Sequence, residues 1–177
     1  GTTPLPNGQG IVVDGSPTHT IGGEEAGLGN VVSGNTGAGV VVRGAASAGV
    51  VIAGNRIGTT GDGTAALGNG AEGIVVEGAP GVRVGGGSEA ERNLIAGNAT
   101  HGLRIEGAEA VGVSVLGNWI GLAADGTTAL ANGTDATERT GHHGISVVSA
   151  PNVVIGGETA TPGRAPGNVI AASAAHS

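Results

Sequence analysis

The hexapeptide Gly10-Ile-Val-Val-Asp-Gly15 sets the pattern that decides the fold of this chain. The same template recurs four more times, as Gly39-Val-Val-Val-Arg-Gly44, Gly73-Ile-Val-Val-Glu-Gly78, Gly102-Leu-Arg-Ile-Glu-Gly107 and Gly144-Ile-Ser-Val-Val-Ser149. Successive copies begin 29, 34, 29 and 42 residues apart. Self-similarity at a period of about 20 to 50 residues is typical of solenoids and repeat arrays.

Within each repeat the apolar residues alternate with a period of two. In the first copy Ile11 and Val13 share one face, and Asp14 lies on the other. Such alternation, ended by glycine, predicts a short, half-buried strand. Two further short apolar segments follow in each repeat, and no helical pattern appears. We therefore predict an all-β parallel β-helix with about five coils, starting near residues 10, 39, 73, 102 and 144. Each coil has three short strands and pairs with the next at a spacing of ~4.8 Å.

Asparagines recur at one position of this repeat. Asn35, Asn69 and Asn98 each lie four residues before the next opening glycine, and Asn132 lies twelve before Gly144 because eight residues are inserted. Equivalent positions in successive coils stack, so these amides are expected to donate and accept along a structural ladder.

Composition excludes several classes of function. The chain has 177 residues, of which 39 are glycine, and it has no Cys, Phe, Tyr or Met. The absence of Cys excludes disulfides, thiolate metal sites and cysteine nucleophiles. A formal net charge of −7 argues against a nucleic-acid partner, which needs a basic surface. No apolar run approaches ~20 residues, so we predict no membrane insertion.

Two matched segments carry a family resemblance. Gly54-Asn-Arg-Ile-Gly58 and Gly117-Asn-Trp-Ile-Gly121 are each followed by an Asp-Gly-Thr-x-Ala-Leu-x-Asn loop, at 62–69 and 125–132. Together with the repeat, they resemble the right-handed parallel β-helix repeats of large secreted and surface proteins, mostly bacterial, of the pectate-lyase-like superfamily. The resemblance covers nearly the whole chain. It implies right-handed coils and an extracellular or cell-surface location.

The ends of the sequence continue the repeat. Residues 1–8 match 126–133 in register, so we interpret residues 1–9 as the tail of a preceding coil. Solenoids need polar caps on their terminal repeats, and neither end offers one. We therefore expect residues 1–177 to form a single solenoid segment that belongs to a longer solenoid or to a head-to-tail stack of like subunits.

Catalytic chemistry finds little support. The stretch His142-His143-Gly144-Ile145-Ser146 resembles one in polygalacturonases, but the chain has no adjacent Asp pair and no Lys, which that family also needs. We predict no catalytic residues, no metal ligands and no cofactor. Calcium is the one metal left open, because Asp62 and Asp125 occupy equivalent positions in the repeat. They lie two coils apart, about 10 Å, which is too far for them to share one ion. Each aspartate is more consistent with a local turn.

Recognition is the remaining local possibility. Trp119 takes the position of Arg56 beside a long loop, where its ring either packs under its own loop, which we favour, or is exposed and binds a glycan. The insertion at 133–140 contains Asp135, Glu138 and Arg139 and lies next to His142 and His143, and insertions often map to a binding face. Val12, Val41 and Val75 should form an exposed apolar stripe that another segment or chain covers.

We therefore expect a structural, non-catalytic, extracellular or cell-surface solenoid, such as a stalk, an adhesin shaft or a filament subunit. Its partners would be adjacent coils or like subunits stacked head to tail, with glycans as a further class. The alternative is a carbohydrate-binding or polysaccharide-degrading module whose active site lies outside this segment.

Overall fold

Fifteen short strands make up the regular structure of the chain. The computed structural model describes residue 3, residues 5–135 and residues 141–172. In chain order the strands are β1 (Ile11–Asp14), β2 (Thr20–Gly22), β3 (Val31–Val32), β4 (Val40–Arg43), β5 (Val51–Ala53), β6 (Arg56–Ile57), β7 (Ile74–Glu77), β8 (Arg83–Gly85), β9 (Leu94–Ile95), β10 (Leu103–Glu106), β11 (Ser114–Leu116), β12 (Trp119–Ile120), β13 (Ile145–Val148), β14 (Val154–Ile155) and β15 (Val169–Ile170).

The strands form three parallel sheets of five. The first sheet has the order β1-β4-β7-β10-β13, the second β2-β5-β8-β11-β14 and the third β3-β6-β9-β12-β15. Each coil therefore contributes one strand to each sheet, and neighbours in a sheet belong to successive coils. The prediction of an all-β parallel β-helix with five coils of three strands is confirmed.

Small branched residues fill the interior. In the first sheet Ile11, Val40, Ile74, Leu103 and Ile145 stand in one register column. The three in the middle coils are fully buried. The opposite face of the same strands carries the charged residues that the alternation predicts: Arg43 binds Asp14 of the preceding coil at 2.8 Å, and Arg104 pairs with Glu72 and Glu106.

Two asparagine ladders run along the solenoid axis. In the predicted ladder, Nδ2 donates to Oδ1 of the next coil from Asn35 to Asn69, from Asn69 to Asn98 and from Asn98 to Asn132, over 2.8–2.9 Å. Asn7 extends this ladder by one step. A second ladder, which the sequence analysis missed, has the same geometry and contains Asn30, Asn55, Asn93, Asn118 and Asn168.

The expected valine stripe is largely wrong. Only Val12 is exposed, whereas Val41 and Val75 are buried. Alanines of the preceding turns cover them, because Ala38 and the half-buried Ala71 form a small apolar cluster with the two valines. This face therefore needs no partner over β4 and β7.

The insertion is described only in its first part. Backbone amides of Gly133 and Asp135 donate to the carbonyls of Asn98 and Ala99, at 2.8 and 2.9 Å, so this stretch follows the preceding coil. Glu138 and Arg139 lie outside the described residues. Across the residues that the structure describes, no helix has the length and apolar character to cross a membrane.

Candidate functional site

The outer face of the third sheet holds the most elaborate side-chain arrangement. Its outward column contains Val31, Arg56, Leu94, Trp119 and Val169, one from each coil, held in register by parallel pairing. The inward neighbours of these residues enter the apolar core, for example Ile57 and Ile120. Alternation along each two-residue strand therefore places the exposed Arg56 and the half-buried Trp119 in one column, with the buried Leu94 between them, in steps of about 4.8 Å.

Loops on both sides turn this surface into a cleft. On one side are the turns that precede β3 and β9, with Gly27 and Ala90 on the wall. On the other side the loops after β6 and β12 fold back, closed by antiparallel bridges between Thr59 and Ala66 and between Leu122 and Ala129. The resulting cleft has a volume of about 380 Å³.

Arg92 and Trp119 form the floor of the cleft. The Arg92 guanidinium carbon lies 4.2 Å from the centroid of the Trp119 ring, within the range of a cation–π interaction. Arg92 Nε donates to the carbonyl oxygen of Gly117 at 3.2 Å, and its side chain is 14% exposed. The tip of the ring lies against Gly126, where a Cβ would come within 2.6 Å of it. The tryptophan is thus packed beneath its own loop.

One wall is braced by ion pairs. Arg83 donates to the carboxylate of Glu91 and to the carbonyl oxygen of Gly85, both at 2.6 Å, and pairs with Glu24 of another coil. Glu91 also accepts from the backbone amide of Ser88 at 2.8 Å. These bonds join the turns before β3 and β9, so the wall is held in place before any ligand arrives.

Glu89 lies beside Arg92 on the floor of the cleft and partly neutralises the positive charge of that arginine. Its carboxylate accepts a hydrogen bond from Arg164 at 2.7 Å and lies 3.6 Å from Arg92. These two guanidinium groups lower the pKa of Glu89, the bond from Arg164 contributing most. A second cleft of about 240 Å³ shares Glu89, Arg92 and Trp119 and extends to Arg164 and Val169.

Three histidines form a separate cluster where the last two coils meet. His143 stacks on His101 with ring centroids 5.3 Å apart, and its backbone amide donates to His101 Nδ1 at 3.0 Å. His142 is buried and meets the His101 ring edge-on at 5.8 Å. Burial and then the neighbouring His143 lower the pKa of His101, against an opposing effect of Glu72.

The two Asp-Gly-Thr loops use their carboxylates locally. Asp62 accepts from the Thr60 hydroxyl at 2.5 Å and from the backbone amide of Thr64 at 3.1 Å. Asp125 accepts from the amides of Thr127 and Thr128, both at 2.8 Å, and from the Thr128 hydroxyl at 2.6 Å. These bonds lower each carboxyl pKa to about 2. Across residues 5–135 and 141–172, no three His, Asp or Glu side chains are placed to hold a metal ion.

The recognition residues named from the sequence do not converge. Trp119 lines the cleft, whereas His142 and His143 belong to the histidine cluster, and Asp135 follows the preceding coil. Sequence reasoning missed Arg92 and His101 as members of these groups. Position in the repeat could have found His101, since it precedes Gly102 just as His143 precedes Gly144.

Comparisons with known proteins leave the family open. No protein-family model matches the chain, and neither a curated protein nor a solved structure matches it.

Proposed function

We propose that this chain is a structural, non-catalytic β-solenoid of an extracellular or cell-surface assembly, and that it stacks end to end with like subunits. The observation that carries the proposal is the continuous interior lattice, in which small apolar residues and two asparagine ladders occupy successive coils. The resemblance to surface solenoids of the pectate-lyase-like superfamily supports the location and a right-handed coil.

The fifth coil is only half covered. Its inward residues Ile155 and Ile170 are 47% and 50% exposed, whereas their fourth-coil counterparts Val115 and Ile120 are fully buried. Exposed apolar area of this kind is stabilised by any surface that removes it from water, at roughly 25 cal/mol per Å². A further coil of the same cross-section fits it best, because the strand edges beside these residues also need partners.

The asparagine ladders give the stack a direction. In both ladders Nδ2 donates from one coil to Oδ1 of the following coil. The second ladder, which reaches the fifth coil, therefore presents an amide donor at Asn168 and an amide acceptor at Asn30. A further coil added in the same direction continues this ladder without reversing a bond, whereas head-to-head contact would oppose like groups.

Four carboxyl groups are held ionised by structural hydrogen bonds and ion pairs. A glycosidase acid requires a carboxyl group whose pKa is raised so that it stays protonated. In the described part of the chain the resolved carboxyl shifts, at Asp62, Glu89, Glu91 and Asp125, are all downward. Hydrogen bonds from hydroxyls, amides and arginines hold these groups ionised, which suits turns and ion pairs.

Adjacent residues of β14 allow a matched test. Ile155→Glu places a charge in the stacking surface, whereas Val154→Glu places the same charge on the outer face of the same strand, where Val154 is 54% exposed. Sedimentation velocity over a concentration series should show assemblies that grow with concentration for the unsubstituted chain and for Val154→Glu. Ile155→Glu should sediment as a monomer with an unchanged circular dichroism spectrum.

Negative-stain electron microscopy provides the second readout. Rods that lengthen with concentration support stacking along the solenoid axis. A monomer at every concentration, or equal assembly of the two variants, would overturn the proposed stacking.

A further inference from the structure

Arg56 has an unusual position among the arginines. Five of the six described arginines, Arg43, Arg83, Arg92, Arg104 and Arg164, pair with carboxylates. Within the described ranges, the Arg56 guanidinium has neither a carboxylate within 4.0 Å nor a hydrogen-bonded carbonyl. It is exposed and lines the 380 Å³ cleft. Its five donors are therefore available to a ligand.

Apolar groups continue from Arg56 along the cleft. Leu94 is one coil away and Trp119 two coils away in the same register column, so the distance along the axis is about 10 Å. The loop after β6 packs over the part of the cleft next to Arg56, since a Cβ on Gly63 would lie 2.8 Å from Leu94 and 3.3 Å from Arg56 Nε. The cleft thus offers a cation at Arg56 and, two coils away, the half-buried ring of Trp119.

Charge around the cleft restricts the ligand. The chain carries a formal net charge of −7, and Glu89 lies next to Arg92 beyond Trp119. A polyanion would be repelled by the chain as a whole, and a second carboxylate on the ligand would approach Glu89. A single anionic group at Arg56 keeps the first penalty small and avoids the second. The volume is within the range of small-molecule pockets, about 300–1,000 Å³.

We propose that this cleft binds a small monocarboxylate whose carboxylate contacts Arg56 and whose apolar body lies against the half-buried ring of Trp119. An arginine offers paired donors that match a carboxylate, and such charge-assisted bonds are the strong ones. The ion pairs of Arg83 hold one wall of the cleft in place, which reduces the entropy lost on binding. The proposal is independent of end-to-end stacking, because the cleft lies on the outer face of the third sheet.

Trp119 supplies the readout, since it is the only Trp and the chain has no Tyr or Phe. Cyclohexanecarboxylate, which does not absorb in the tryptophan range, is titrated into the full chain while Trp119 emission is followed. We expect a saturable change in emission. Two control ligands should each bind at least about tenfold more weakly. Acetate has the carboxylate without the apolar ring, and cyclohexanecarboxamide has the ring without the charge.

Two arginine variants make the test specific. Arg56→Gln should weaken binding of cyclohexanecarboxylate about tenfold or more, whereas Arg43→Gln, which removes an exposed arginine from the first sheet, should leave it unchanged. Circular dichroism checks that both variants fold. No saturable change in emission, equal affinity for acetate, or equal affinity of Arg56→Gln and the unsubstituted chain would each overturn the proposal.

Discussion

Asn69 Nδ2 donates to Oδ1 of Asn98 across 2.9 Å, and the backbone amide of Asn69 donates to the same oxygen at 3.3 Å. One buried side chain thus accepts two bonds from the preceding coil. Asn98 in turn donates from Nδ2 to Asn132 and to backbone carbonyls of its own coil and of an earlier one. The amide joins several coils at a turn, where no strand pairing is available.

Removal of one ladder amide should be costly. Asn98→Ala is expected to lower the free energy of unfolding by about 2–4 kcal/mol, because it leaves the Asn69 donors buried without their acceptor. Urea unfolding followed by circular dichroism measures the loss. Asn7→Ala is the control at the exposed start of the same ladder, and its effect should stay within about 0.5 kcal/mol. Equal effects of the two substitutions would contradict a role for the buried ladder.

Two glycines with the same backbone geometry should respond differently to alanine. Gly85 and Gly44 both have positive φ, +79° and +82°. A Cβ on Gly85 would lie 1.9 Å from the carbonyl oxygen of Leu116, whereas a Cβ on Gly44 meets nothing within 4 Å. Gly44→Ala should therefore cost only the backbone strain, about 1–2 kcal/mol. Gly85→Ala should cost about 3 kcal/mol or more, since the coils must also separate.

The same urea unfolding experiment compares both variants. A similar loss at the two positions would mean that the approach between coils at Gly85 is not tight enough to exclude a methyl group.

Sequence periodicity was sufficient to predict the lattice. The alternation in Gly39-Val-Val-Val-Arg-Gly44 and its copies fixes which residues face inward, and spacing fixes which residues stack. The second ladder was missed because its members do not share one spacing: Asn30 and Asn93 lie nine residues before the next opening glycine, whereas Asn55 lies 18 before it and Asn118 lies 26 before it. Val41 was misplaced for another reason: alternation assigns a face to a side chain, but it does not show that Ala38 covers it.

Of the residues that line the cleft, only Trp119 was predicted from the sequence as a recognition residue. Its pairing with Arg92 depends on how the turn before β9 projects, and on the bracing of that turn by Arg83 from another sheet. Residues separated in sequence by different loops meet there, and the repeat pattern does not encode loop conformation. Arg56 could have been noticed, since it shares a repeat position with Trp119, but its lack of an ion pair is visible only in three dimensions.

The Thr128 hydroxyl should control the titration of Asp125. It is the largest contribution to lowering the pKa of Asp125 from 3.8 to about 2. Thr128→Val removes that bond and keeps the branched shape, so the pKa should rise toward 3.8. Carboxyl carbon shifts followed by NMR during an acid titration measure it. Thr127→Val is the control, because the Thr127 hydroxyl contributes least and its backbone amide remains.

The sign of the linked stability effect follows from the same pKa. The folded-state pKa of Asp125 lies below the unfolded value, so its stabilising effect is fully present above about pH 4 and is lost as the pH falls toward 2. The unsubstituted chain should therefore lose more stability than Thr128→Val over this interval. An unchanged Asp125 titration in Thr128→Val would contradict the assigned hydrogen bond.

His101 should make the solenoid less stable in mild acid. Burial and His143 lower its pKa below the usual 6.5, so the unfolded chain binds a proton more readily than the folded chain. Stability therefore falls as the pH drops through about 6.5, and this contribution levels off below the folded-state pKa of His101.

His143→Ala removes the stacked ring and its charge, and it should move the His101 pKa upward and reduce the pH dependence of urea unfolding. His19→Ala, which removes an exposed histidine bonded to Ser16 in the first coil, should change neither quantity. The His101 Hε1 chemical shift followed by NMR against pH decides the matter, since an unchanged titration in His143→Ala would show that the stacked ring does not perturb His101.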